Sequence, residues 1–351
     1  VVVRILYLGT DSFGGYGGIA LYSRELIAAL ASHPAVEEVV VVPRLIVGAL
    51  EPLPQKVTFV SEAARGRLAY LGAIRRLKRP FDLVICAHVN LLPVARMLTK
   101  HPLLFLYGIE AWKPLRDSFS NRFVKNVRAA ISISDITLDR FLGWSGYLGP
   151  SFILPNSIRA EWYGIRPRNP ELAARYHLDG KRVLMTLGRV IAAERYKGFD
   201  EVLDIMPDLD DDIVYIVAGG GNDVPRLQRK AAALGIAERV IFTGLLPEHE
   251  KADLYNLTDV YVMPSRGEGF GFVLLEAMAC GVPVIASRLD GGREAVRGGA
   301  LGQLVDPTSP AEIRAAIADV IGAGKQIPEG LDYFSFENFE QRTHAIIDAV
   351  V

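Results

Sequence analysis

Val262-Met-Pro-Ser-Arg-Gly-Glu-Gly-Phe-Gly-Phe-Val-Leu-Leu-Glu-Ala-Met-Ala-Cys-Gly-Val-Pro283 is the stretch around which the chain is organised. The apolar run Asp259 to Met263 that leads into it reads as a buried strand. A turn containing Gly267, Gly269 and Gly271 follows, then a helix that ends at Gly281 and Pro283. A strand feeding a glycine turn and a helix N-terminus is a ready anion site. Two glutamates, Glu268 and Glu276, lie eight positions apart, one before the helix and one within it.

The same alternation extends outward in both directions. Upstream, Val1 to Gly9 is a continuous apolar run, as a parallel strand buried on both faces requires. A glycine-rich turn, a helix over Ile19–Ala31 and a strand at Val39–Val42 complete the opening unit. Within that turn Gly15-Tyr-Gly17-Gly18-Ile-Ala20 fits the dinucleotide spacing G-x-G-x-x-A. The glycines begin six residues after the strand, and Val42-Pro43-Arg44 lacks the acid that grips a ribose, so a loop allowing close backbone approach to a ligand is the better reading. Strand patterns recur at Phe81–Ala87, Leu103–Tyr107, Ala129–Ser134 and Ser151–Pro155. Ligands of open parallel sheets bind beyond strand carboxyl ends, which makes His88, Tyr107, Glu110 and Trp112 candidates for that crevice. Ser61 to Arg79 reads as a basic helix, either a solvated outer helix or a membrane-surface one.

From Arg159 to Asp179 the pattern loosens, and it resumes at Lys181. Two doubly wound α/β domains are therefore expected, 1–168 and 169–333, facing each other across a cleft, with 334–351 a closing helix packed back on the first. Strands are expected at Ile213–Ala218, Val240–Phe242, Val282–Ala286 and Gly302–Val305, and helices at Val224–Leu234, Glu248–Leu257 and from Gly292.

The 351 residues are half hydrophobic, with no run approaching the ~20 apolar residues of a membrane span. No secretory signal pattern is present, and two cysteines, Cys86 and Cys280, fit buried thiols; a cytoplasmic protein is expected. Net charge is −1, which gives no reason to expect nucleic acid. Residues 1–150 hold 18 Lys/Arg against 11 Asp/Glu, so the first half carries +7. Such a half can attract anionic lipid or an acidic acceptor.

Gly188-Arg189 closes the first strand of the second half, and Lys197-Gly198 follows. Arg189 as a fork and Lys197 as a point charge, with the Gly269–Phe272 turn and helix N-terminus, suit a diphosphate with no metal. No His/Asp/Glu cluster has metal-ligand spacing. A glycosidase pair is disfavoured, since a retaining pair stands ~5 Å apart whereas eight helical residues span ~12 Å.

The span Ser265–Ser287, with its two glutamates, resembles the retaining glycosyltransferases of family 4, which have the GT-B fold. The resemblance extends through Gly17-Gly18, Pro155-Asn156, Gly188-Arg189, Lys197-Gly198, Ala218–Gly221, Phe242-Thr-Gly244 and Asp290-Gly-Gly-Arg-Glu294. It implies transfer of a hexose from a nucleotide-diphosphate sugar (GDP-mannose or a UDP-sugar), with retention, to a saccharide or lipid-linked saccharide, without a further cofactor. By position it implies that Gly188, Arg189, Lys197 and Gly244 line the donor site, with Arg189 and Lys197 on the diphosphate. Glu268 and the amides of Gly269, Phe270, Gly271 and Phe272 would hold the donor sugar, and Glu276 the ribose. Gly17 and Gly18 would approach the phosphates, and His88 would lie near the reacting sugar. Many relatives have His-Gly where this chain has Tyr107-Gly108, so Tyr107 is expected to shape the acceptor pocket. A sugar-nucleotide epimerase, an NAD(P) oxidoreductase using Gly15–Ala20 and a non-catalytic binding module remain as alternatives.

Overall fold

The computed structural model describes residues 2–78, 80–115 and 121–351. Val1 of the opening run and Arg79 of the expected basic helix lie outside the described residues. The chain forms two compact units, Val1–Ser157 with Phe336–Val351, and Ile158–Ser335.

The first unit is built on a seven-stranded parallel sheet: β1 Val3–Gly9, β2 Val36–Pro43, β3 Val57–Phe59, β4 Leu83–Cys86, β5 Leu103–Leu106, β6 Ala129–Ser132 and β7 Ser151–Ile153. Their order is β3-β2-β1-β4-β5-β6-β7, with Leu6 registered against Val40 on one side and Val84 on the other. The second unit repeats the plan in six strands: β8 Arg182–Leu187, β9 Ile213–Ala218, β10 Val240–Gly244, β11 Val260–Met263, β12 Val284–Ser287 and β13 Gln303–Val305, in the order β10-β9-β8-β11-β12-β13. Every ladder is parallel, which accounts for the unbroken apolar runs: helices cover both faces, and every residue of β4, β5, β6, β9, β11 and β12 is buried. Each sheet reverses its winding once, between β1 and β4 and between β8 and β11. In each sheet such a switch point opens a crevice beyond its own strands' carboxyl ends, where ligands of open parallel sheets bind.

The unit boundary falls at 157/158, earlier than the 168/169 expected from sequence. The intervening residues are tied into the second unit: Ile158 N donates to Phe334 O at 2.7 Å, and Arg166 N to Asn256 Oδ1 at 2.8 Å. The final helix, Phe336–Val350, packs on the helix Gly18–Ser32 of the first unit, with the Tyr22 and Phe339 rings edge to face at 5.5 Å.

The expected helix over Ser61–Arg79 is two pieces, a 3-10 turn Ser61–Arg65 and an α-helix Arg67–Arg76, separated by Gly66 at φ 143°. The helix buries Tyr70, Ala73 and Ile74 and leaves Arg67, Leu68, Arg75 and Arg76 exposed. The loosened stretch also holds a short helix, Pro170–Arg175. Its Asn169 side chain caps it by accepting from Glu171 N and Leu172 N.

Candidate functional site

The loop that follows β11 is held from two sides. On one side, Arg266 N donates to Tyr196 O at 2.7 Å, and the Tyr196 ring lies flat over Gly267, where a Cβ would stand 2.7 Å from the ring. The glycine is required by that close approach. On the other side stands Asp290, fully buried, which accepts from Ser265 Oγ at 2.7 Å, Glu268 N at 2.9 Å and Gly292 N at 3.0 Å. Gly291 N returns a bond to Glu268 O at 2.9 Å. The backbone of Glu268 is thereby fixed at both its N–H and its C=O.

Burial pushes the Asp290 carboxyl up to about 6 despite its three donors, the nearby Glu268 charge adding to the shift. An unfolded Asp titrates at ~3.9, so between these values the folded state holds a proton that the unfolded state has released. This contribution to stability is complete below the unfolded value and is lost, by about 2–3 kcal/mol, as pH rises through the folded one. Thermal melting of wild type against Asp290→Asn is the check. The variant is expected to be less stable, having fewer acceptors, but with a flatter pH dependence through that window; an unchanged slope would refute the assignment.

From this fixed backbone the Glu268 side chain reaches Lys197, whose Nζ donates to Oε2 at 2.8 Å. Lys197 ends the 3-10 segment Ala192–Lys197 beyond β8, and its aliphatic stem lies over Gly188. Burial pulls the Lys197 ammonium down, but the Glu268 charge and hydrogen bond outweigh it, and the group stays above its ordinary value. Glu194 stands on the far side of the ammonium at 3.9 Å and also pairs with Arg189, whose side chain is otherwise largely exposed. Two cations and two carboxylates thus meet where β8 and β11 end. The helix Phe272–Ala279 starts here, capped by Gly271 at φ 100°. Phe270 and Phe272 turn their rings into the interior, Phe270 edge to face on Phe334 at 5.5 Å, which leaves the loop's backbone as its contribution to a ligand. Gly244 ends β10, and its carbonyl accepts from Gly219 N at 3.1 Å.

Glu276 has other partners. It is buried on the same helix, with Oε2 accepting from Tyr255 Oη at 2.9 Å and Oε1 from Lys251 Nζ at 3.1 Å. Glu268 and Glu276 share no partner, consistent with separate tasks.

In the first unit, Gly17 at φ 87° precedes the helix Gly18–Ser32, and both glycines are exposed. His88 follows β4, and its Nδ1 accepts from Asn90 N at 3.2 Å, which puts the proton of the neutral ring on Nε2. Burial lowers the His88 pKa, opposed by the charges of Glu110 and Asp11. Tyr107 is buried against Tyr22, ring centroids 5.3 Å apart. Glu110 Oε1 accepts from Tyr107 N at 2.7 Å and Gly108 N at 3.1 Å, holding the turn. Trp112 Nε1 donates to Thr137 Oγ1 at 3.1 Å, and the Arg140 guanidinium covers its ring at 3.7 Å. Glu110 and Trp112 are engaged within the unit, a structural use that the sequence reading did not include. Among the described residues, no group of three or more His, Cys, Asp and Glu side chains is placed to hold a metal ion.

The site residues that sequence reasoning missed are Glu194, Tyr196, Lys251, Tyr255 and the role of Asp290. Only Lys251 and Tyr255 left a trace, one helical turn apart on Glu248–Leu257.

The two switch-point sheets make this a GT-B fold. Residues 171–326, most of the second unit, match the family model described as glycosyl transferases group 1. The chain is similar to the GDP-mannose-dependent alpha-(1-6)-phosphatidylinositol monomannoside mannosyltransferase of Mycolicibacterium smegmatis, 34% identical over 200 residues, covering 54% of this chain and 52% of that protein. It is also similar to the D-inositol 3-phosphate glycosyltransferase of Corynebacterium jeikeium, 32% identical over 179 residues, 46% of this chain and 43% of the other. These matches span about half the length of the curated relatives. Among solved structures, Anabaena HepE in complex with UDP-glucose superposes with a TM-score of 0.76 at 19% identity, covering 99% of this chain and 100% of that one. The lipopolysaccharide-synthesis glycosyltransferase WaaG gives 0.63 at 16% identity, covering 98% and 95%.

Proposed function

We propose that the protein is a retaining glycosyltransferase of family 4 that moves a hexose from a nucleotide-diphosphate sugar to a saccharide or lipid-linked saccharide. The observation that carries this reading is the Lys197–Glu268 pair at the β8/β11 switch point, beside Arg189 and the N-terminus of Phe272–Ala279. The relatives' names support GDP-mannose as donor and an inositol-containing acceptor; the UDP-glucose complex of the structural neighbour leaves a UDP-sugar open.

In this reading, Lys197 and Arg189 leave their carboxylates for the diphosphate, and the freed Glu268 takes up hydroxyls of the donor sugar. Charge developing on the departing phosphate is met by the two cations and the helix N-terminus, all in place before reaction. The acceptor hydroxyl attacks from the same face, and the departing phosphate takes its proton. Glu276 receives the ribose hydroxyls on the lone pairs that Tyr255 and Lys251 leave open. Gly17 and Gly18 approach the phosphates from the first unit, whose His88, through Nε2–H, and Tyr107 serve the acceptor side. No metal or further cofactor enters the scheme. The protein works in the cytoplasm, at the inner membrane face where the acceptor is lipid-linked; no helix among the described residues is long and apolar enough to cross a membrane.

A thermal-shift comparison of GDP, UDP and NADPH is the first test, with stabilisation expected from a nucleoside diphosphate. A donor screen for nucleotide release with and without acceptor follows. Donor-sugar conversion without acceptor would establish an epimerase instead, and a shift with NADPH alone an oxidoreductase.

A further inference from the structure

Glu194 is held differently from its neighbours on the segment Ala192–Lys197. It is the one residue there whose backbone departs from helical values, with φ −120° and ψ 31°. At that kink Glu194 is buried to 7% exposure, while the next side chain, Arg195, runs out to pair with Asp223 at 2.8 Å. The segment is also braced. Glu194 N donates to Ile191 O at 2.9 Å, and Ala192 N to Asn222 Oδ1 at 3.0 Å.

The two oxygens of this carboxylate are used unequally. Oε1 accepts from Arg189, whose side chain is 73% exposed. Oε2 is sealed from solvent and, among the described residues, accepts no hydrogen bond, yet it faces Lys197 Nζ at 3.9 Å. A buried carboxylate oxygen without a donor is costly, and such an atom calls for a reason. Lys197 donates to Glu268 Oε2 at 2.8 Å instead, so Glu194 stands behind it as a second carboxylate. Charge sharpens the point. Arg189 and Lys197 are matched by Glu194 and Glu268, so the cluster at the ends of β8 and β11 carries two charges of each sign. An anion that takes up both cations must compete with both carboxylates.

We propose that Glu194 is a built-in competitor for Arg189 and Lys197, which keeps the site from retaining the spent nucleoside diphosphate. The proposal rests on the diphosphate reading of this site and adds the release step to it. Glu194 is a positioning residue, acting through the two cations and not on the sugar. When the donor binds, Glu268 turns to the sugar hydroxyls, but Glu194, buried on a braced segment, keeps its charge beside the ammonium. Transfer leaves the diphosphate with more negative charge than the donor had, so two uncompensated cations would grip the product harder than the substrate. With the sugar gone, both carboxylates reclaim the cations and the product leaves.

The experiment measures GDP and UDP dissociation constants by calorimetry, with donor kcat and KM, for wild type, Glu194→Gln, Glu194→Asp and Arg195→Gln. Glu194→Gln removes the charge and keeps the shape. It is expected to bind the nucleoside diphosphate about tenfold tighter, with a lower KM for donor, a lower kcat and stronger inhibition by added product. Glu194→Asp, which keeps the charge, is expected to return the affinity toward wild type. Arg195→Gln loses the neighbouring ion pair on the same segment and is expected to leave the affinity unchanged, which separates the charge of Glu194 from a general loosening. A carboxylate that only props the cations predicts the opposite sign. Binding by Glu194→Gln that is equal to or weaker than wild type, with a raised KM, therefore overturns the proposal. Failure of wild type to bind either nucleotide overturns the diphosphate reading and the proposal with it, and it shows without any variant.

Discussion

Lys197→Ala is expected to lower kcat for transfer by about 10²–10³, with a smaller change in the KM for donor, and to lower the melting temperature because buried Glu194 and largely buried Glu268 lose a counter-charge. The ammonium stands 2.8 Å from Glu268 and 3.9 Å from Glu194, and its side chain is largely buried, so it acts in a partly water-excluded place where a charge counts for more than at the surface. In the proposed reaction the leaving diphosphate gains charge as the glycosidic bond breaks, so an interaction with it strengthens toward the transition state and its loss appears in kcat. Glu268→Gln is expected to fall by a similar factor, through loss of the acceptor that grips the sugar and of the charge that holds the Lys197 ammonium in place. The double variant should lose far less than the product of the two single losses, because the residues act as one unit. The measurement is steady-state transfer with donor and acceptor in each folded variant. Full activity in both would remove the diphosphate-site reading altogether.

Much of this architecture is legible because parallel strands buried on both faces leave an unmistakable mark. Ile213–Ala218 reads as a strand and is one to the residue, and the helix Glu248–Leu257 likewise. What escaped is what burial does not stamp on the chain. β3, Val57–Phe59, is a three-residue edge strand with little burial, and Gly66 divides a helix whose apolar spacing carries on across the break. The helix Phe199–Ile205 is short and reads as connection, while Pro310–Val320 carries a start signal, the Ser309 cap with Pro310 at its first position, that the strand-centred reading does not use. At the candidate site the glutamates, Arg189 and Lys197 stood out by motif, but their mutual bonding did not. Lys197 and Glu268 are 71 residues apart, and Glu268 N and Asp290 are 22 apart. Glu194 carries no motif signal; its importance comes from sitting buried between two cations, a fact of packing alone.

The second large effect is expected at a residue with no side chain. Gly291→Ala should reduce transfer about 100-fold and lower the melting temperature by several degrees, although Ala is otherwise unobjectionable at its φ of −65°. A Cβ on Gly291 would stand 2.0 Å from Gly269 O and 2.3 Å from Gly269 C. Both are backbone atoms, so no rotamer change relieves the overlap, and one of the two segments must move by about 1 Å to reach ordinary contact. Neither moves freely. Gly291 N is bonded to Glu268 O, Asp290 receives Glu268 N, and the Tyr196 ring closes the other side of the loop. Displacement therefore breaks one of these bonds or shifts Glu268 away from Lys197, and a shift of that size in a positioning loop is enough to misalign the donor. Gly322→Ala is the control, since a Cβ there meets nothing within 4 Å, and it should leave both rate and melting temperature unchanged. If Gly291→Ala instead keeps its stability and rate, the loop tolerates a different spacing, and the fixed backbone of Glu268 is not what positions the donor. If stability falls while the rate of the folded fraction holds, the contact is structural alone. Only the joint loss, with nucleoside-diphosphate stabilisation weakened in parallel, ties the Gly269–Gly291 contact to the donor site.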